Sequence, residues 1–122
     1  MNRYLFTLIL LTQVLVPTSV LADSTRIQVP NLTTGRLAPI CKQLLSGKQQ
    51  AMNVDQGLCI GIILGVEDNA SYDKKICVPK QIDITERVLV VDRYIATQRN
   101  RTNEAYASLV FDALIQKWPC AK

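Results

Sequence analysis

The chain has 122 residues, with 14 basic and 10 acidic side chains, four cysteines and no histidine. This length suits one domain. The scattered excess of positive charge lacks the basic stripe interleaved with aromatics that nucleic-acid binding needs, and without histidine there is no Ser-His or Cys-His pair for nucleophilic catalysis.

The first segment reads as an export signal. Asn2-Arg3 makes a positively charged start, Leu5 to Val16 is an almost unbroken apolar run, Pro17 breaks it, and Val20-Leu21-Ala22 places small residues where a signal peptidase reads. The run is shorter than the roughly 20 residues that span a bilayer. The expectation is a cleaved signal, residues 1–22, with no membrane attachment afterwards. Cleavage removes Arg3 alone from the charge count, leaving 13 basic against 10 acidic residues in a mature chain of 100. Such a chain buries roughly 60–65% of its unfolded surface, a thin core in which crosslinks matter.

Asp23 to Thr34 is polar and without periodicity, and is expected to be an extended arm (residues 23–34) leading into a domain over 35–122. Leu37, Ile40, Cys41, Leu44 and Leu45 then share one face, which predicts a first helix over about Leu37 to Ser46. Pro39 is expected in its first turn and Gly47 at its stop. A second helix is predicted from an Asp55 N-cap to about Ala70. Its centre, Leu58 to Val66, is apolar on almost every side, so it is expected to be the buried helix. Gly57, Gly61 and Gly65 recur every fourth residue on it. Each costs about 0.8–1 kcal/mol in a helix interior, so they are expected to form a groove where another helix packs closely, either of the same chain or of a second protomer.

Ser71 to Gln81 reads as a loop. A third helix is predicted to open at Thr85, with Ile84 and Leu89 as a hydrophobic staple and Val88, Val91 and Ile95 as its stripe. The β-branched run Arg87 to Val91 competes as a strand, but the stripe is too long for alternation. After a polar turn, a last helix is predicted over Asn103 to Trp118, ended by Pro119. The fold class is therefore all-α, a small antiparallel bundle of about four helices.

An even number of cysteines behind an export signal reads as a disulfide framework. In an up-and-down bundle the last helix ends beside the start of the third, and the end of the first faces the start of the second. Of the three possible pairings, this geometry predicts Cys41–Cys59 and Cys77–Cys120. The cysteines have no C-x-x-C spacing, so zinc is not expected, and neither is any cofactor.

Together these residues resemble a known family. Cys59-Ile60-Gly61-Ile62-Ile63-Leu64-Gly65-Val66-Glu67-Asp68, Cys77-Val78-Pro79, the stretch from Thr85 through Val90-Val91-Asp92-Arg93-Tyr94-Ile95, and Ala107 to Leu114 with Trp118-Pro119-Cys120 are similar to the Rap/Tai immunity proteins of type VI secretion. The resemblance implies a periplasmic, non-enzymatic protein, homodimeric like other members, that binds and blocks a peptidoglycan-cleaving amidase effector. Two positions depart from the pattern. Ile62 stands where the family has tyrosine after Cys-x-Gly, and Gln98-Arg99-Asn100 where it often has His-Pro-Glu. The second change falls in an exposed turn, where variation fits a different cognate toxin. The expected partner contacts are Gln98, Arg99, Asn100 and Arg101 in that turn, and Tyr72, Asp73, Lys74 and Lys75 in the cysteine loop. A small acid-responsive periplasmic chaperone shares the outline of signal, disulfide and helices, but ten acids without histidine make a modest pH trigger. A peptidoglycan-active enzyme is disfavoured by the missing catalytic groups.

Overall fold

A computed structural model describes residues 31–48 and 51–122. The expected signal segment, and the expected arm up to residue 30, lie outside the described residues. Four α-helices follow in order: α1 Thr34–Gln43, continued by a 3-10 turn Leu44–Ser46; α2 Val54–Tyr72; α3 Ile84–Ala96; and α4 Tyr106–Lys117. The all-α reading holds, and both expected disulfides, Cys41–Cys59 and Cys77–Cys120, are formed.

The element boundaries correct the expected starts. α1 begins three residues before Leu37, so Pro39 lies beyond its first turn. No side chain caps this helix. Instead the N–H groups of Thr34 and Gly35 donate to the carbonyls of Glu104 and Thr102, both at 2.8 Å. Glycine makes this approach easy: a Cβ on Gly35 would lie 3.3 Å from the Thr102 oxygen, a tight contact that the Thr102 backbone would have to relieve by a small shift. The same contact shortens α4. Asn103 to Ala105 is held as non-helical chain by the Thr33–Ala105 bridge and by Tyr106 N–H donating to Leu32, so the helix starts at Tyr106 instead of Asn103.

The N-cap of α2 is Asn53, not Asp55. Asn53 and Gln56 form a reciprocal capping box at 2.9 and 3.0 Å. Asp83 caps α3 by accepting the Glu86 N–H at 2.8 Å, which places the cap one residue ahead of Ile84 and displaces the expected staple. Gly47 ends the first helical segment at φ 62°, as its missing side chain allows.

α3 runs against both α2 and α4. The Glu67–Arg87 pair joins the late part of α2 to the first turn of α3 at 2.5 and 2.9 Å, and Arg87 also donates to the Ile82 carbonyl. The Glu67 hydrogen bonds outweigh burial and raise the Arg87 guanidinium above its ordinary pKa. α1 joins the first two turns of α2 through Cys41–Cys59 and the 3.6 Å Arg36–Asp55 contact.

The most buried helix is α4, not α2: Tyr106, Leu109, Val110, Ala113 and Leu114 are all buried in its 12 residues, while each of the four helices contacts the other three. α2 buries Gln56, Cys59, Ile63 and Ala70, while Val54 and Leu64 on it are exposed. The glycines of α2 correct a further expectation. Among the described residues, a Cβ added at Gly57, Gly61 or Gly65 would meet nothing within 4 Å, so none of the described helices packs into that groove. None of the described helices is long and apolar enough to cross a membrane.

Candidate functional site

The cysteine loop is built from the end of α2. Lys75 N–H donates to Ala70 O at 2.8 Å and Lys74 N–H to Ser71 O at 3.0 Å, the paired bonds of a Schellman motif. The residue after the cap turns left-handed in such a motif and is usually glycine; here it is Lys74 at φ 54°. The loop is then tied to the chain end by the Ile76–Pro119 bridge, by Cys77 N–H donating to Trp118 O at 2.8 Å, and by Cys77–Cys120. Tyr72 is 89% exposed on this frame, and Asp73 faces Lys75 at 3.8 Å. An aromatic ring and three charges are thus presented on rigid backbone.

The left-handed lysine carries a testable cost. A side chain in this conformation costs roughly 1–2 kcal/mol, partly offset by the greater freedom that glycine loses on folding. Lys74→Gly is expected to raise stability by up to about 1 kcal/mol. A urea titration in which the variant unfolds no later than the parent would contradict this.

The second set, Gln98 to Arg101, forms a tight turn after α3. Gln98 N–H donates to Ile95 O and Arg101 N–H to Gln98 O. Arg101 folds back over the start of α4 and stays partly exposed. Its guanidinium bonds both Glu104 oxygens at 2.9 and 2.7 Å, reaches Asp112 at 2.8 Å, and donates to the Tyr94 hydroxyl at 3.2 Å. The Glu104 hydrogen bonds, then Asp112, raise the Arg101 pKa, and Arg101 in turn lowers that of Glu104. Arg101 therefore holds the turn in shape, while Arg99 and Asn100 form its exposed tip. The structure does not bring the two loops together. One adjoins the end of α4 and the other precedes its start, so the helix length of about 18 Å separates them.

A third feature was missed in the sequence. Two adjoining depressions between α3 and α4, of about 410 and 390 Å³, share Val90, Arg93 and Lys117. Periodicity along α3 marks Arg93 only as solvent-facing, because a recess made by two helices leaves no signal in either one.

No group of three or more His, Cys, Asp or Glu side chains converges among the described residues. All four cysteines are crosslinked, and burial, with Asp92 adding to it, holds the Tyr106 hydroxyl above its ordinary pKa. The arrangement offers binding surfaces on a stapled frame. No curated protein and no solved structure matches the chain. A family model, described as Rap1a immunity proteins, matches residues 33–120. That stretch includes all four helices, both disulfides and both loops, and by it the chain belongs to the Rap1a immunity protein family.

Proposed function

We propose that this protein is exported to the periplasm and there binds a peptidoglycan-cleaving amidase effector of type VI secretion, blocking its active site without any catalysis of its own. The observation that carries the reading is the family match over residues 33–120. The exposed Arg99-Asn100 tip and the stapled, exposed Tyr72–Lys75 loop support it as surfaces open to a partner. The test is a periplasmic rescue. The product of the adjacent reading frame is expressed in the periplasm with and without residues 23–122, and lysis is followed. Lysis that this protein prevents supports the reading, and lysis it cannot relieve overturns it.

The same reading includes a homodimer. Support comes from the outer face of α2, where the three open glycines sit beside exposed Val54 and Leu64, so a second copy could approach closely there. Two substitutions separate the cost from the use. Gly61→Ala is expected to stabilise the isolated chain by up to about 1 kcal/mol, because the added methyl meets nothing. Gly61→Arg is expected to abolish self-association in sedimentation velocity. A monomeric parent would remove the dimer from the proposal.

A further inference from the structure

The recess between α3 and α4 is built unlike either loop. Val90 and Ala113 give it an apolar floor, with Leu89 continuing it toward the start of α3. Arg93 comes from one helix and Lys117 from the other, both exposed and both bordering the shared middle of the two depressions. Neither has a carboxylate within ion-pair distance among the described residues, a state they share with surface cations such as Lys42, Lys80 and Arg99, so it is their placement beside one recess that sets them apart. Each cation lies in the last turn of its helix, where the helix dipole favours positive charge. That preference would be met equally on an open surface. It does not account for two cations from separate helices beside one apolar-floored recess.

The recess also has a direction. Its far end carries Asp83 and Glu86 at the start of α3, and the Asp83 carboxylate is already occupied as a helix cap. Its near end reaches Thr97 and Tyr94. Tyr94 is fixed by Arg101 at 3.2 Å, and Gln98 donates to the Thr97 hydroxyl at 3.0 Å. The recess is thus continuous with the turn whose tip is Arg99-Asn100.

We propose that this recess receives an acidic segment of the effector, with an apolar side chain over Leu89 and Val90 and an Asp or Glu carboxylate between Arg93 and Lys117. The proposal rests on the immunity reading above and specifies the surface and the partner chemistry. Charge complementarity selects the occupant. Arg93 and Lys117 stand together at the shared middle, whereas the two carboxylates of the lining, Asp83 and Glu86, lie at the far end within the field of Arg87. Residues 23–122 carry 13 basic against 10 acidic side chains. Both favour a carboxylate at the middle of the recess, and an effector engaged at the turn would lie at its mouth.

The test measures binding of the purified effector from the adjacent reading frame by calorimetry, at about 50 and about 500 mM salt. The parent is compared with R93E/K117E, and with the tip variant R99A/N100A as an independent perturbation. Thermal melts check that each variant is folded; both substituted positions of the first are exposed, so its melt is expected to match the parent. R93E/K117E is expected to weaken binding at least tenfold at low salt and to reduce the salt dependence that remains. Parent-like affinity of that variant at both salt concentrations would overturn the recess proposal while leaving the immunity reading intact. A change in its oligomeric state without a change in effector affinity would also overturn it, since the recess would then face a second copy. If the parent itself does not bind, both readings fall together. A variant that fails to fold is replaced by R93Q/K117Q, for which the same losses are expected at smaller size.

Discussion

Replacing Tyr106 with alanine is expected to lower the stability of the folded chain by about 3–5 kcal/mol, the range for deleting a buried aromatic ring. Tyr106 is 1% exposed and opens α4, the most buried helix. Its ring fills space beside the Cys41–Cys59 crosslink, with the hydroxyl 3.7 Å from Cys59 Sγ. Its backbone N–H donates to Leu32 O at 2.8 Å, and that bond survives the substitution, so the loss belongs to the side chain. Tyr106→Phe separates ring from hydroxyl. A hydroxyl facing a sulfur loses little when removed, and the change is expected to stay within about 1 kcal/mol. Urea unfolding of both variants is the measurement, and a phenylalanine variant as damaged as the alanine variant would contradict the packing account.

The same pair carries a pH signature. Burial raises the Tyr106 pKa above its ordinary value of 10.0. The contribution is therefore fully present below that value. As pH rises past it, the unfolded chain ionises first and the stability of the parent falls. Tyr106→Phe lacks this component and is expected to gain on the parent in alkaline solution.

The second large effect concerns the crosslinks. They close loops with sequence separations of 18 and 43 residues, worth about 3 and about 4 kcal/mol in the chain-entropy account. Domains of this size have about 5–15 kcal/mol in total. Cys77→Ser/Cys120→Ser is thus expected to remove a large share of the stability and to leave the chain end held to the Tyr72–Lys75 loop by backbone hydrogen bonds alone. Cys41→Ala/Cys59→Ala removes the smaller loop term but also buried sulfur packing, since both residues lie in the core. Accessibility separates the two further. Cys77 is exposed, whereas Cys41 and Cys59 are 3% and 0% exposed. A dithiol reductant under native conditions is expected to open Cys77–Cys120 first. Mass spectrometry of alkylated samples reads the order, and prior or simultaneous opening of Cys41–Cys59 would contradict it.

Both disulfide pairings were legible in the sequence, because helix order alone brings those chain segments together. Helix existence was legible for the same local reason. Val88 and Val91 on α3, and Leu37 with Cys41 on α1, repeat at helical spacing and are buried where that spacing places them. Starts were less legible. Asn53 and Asp83 are good caps by type, but so is Asp55, and only the formed hydrogen bonds distinguish them. The start of α4 could not be read at all, because Asn103 to Ala105 is drawn out of the helix by α1, about seventy residues earlier in the chain.

By itself, then, the sequence determined the helical class, the crosslinks, the family resemblance and the positions of the two loops along the chain. Only the tertiary structure decided which helix is most buried, that the α2 glycines face outward, that Arg101 folds back over the start of α4, that the loops sit at opposite ends of α4, and that Arg93 and Lys117 share a recess. The physical reason is that periodicity reports which face of a helix is apolar, not which neighbour covers it. For α2, apolar nearly all round, it does not report even that.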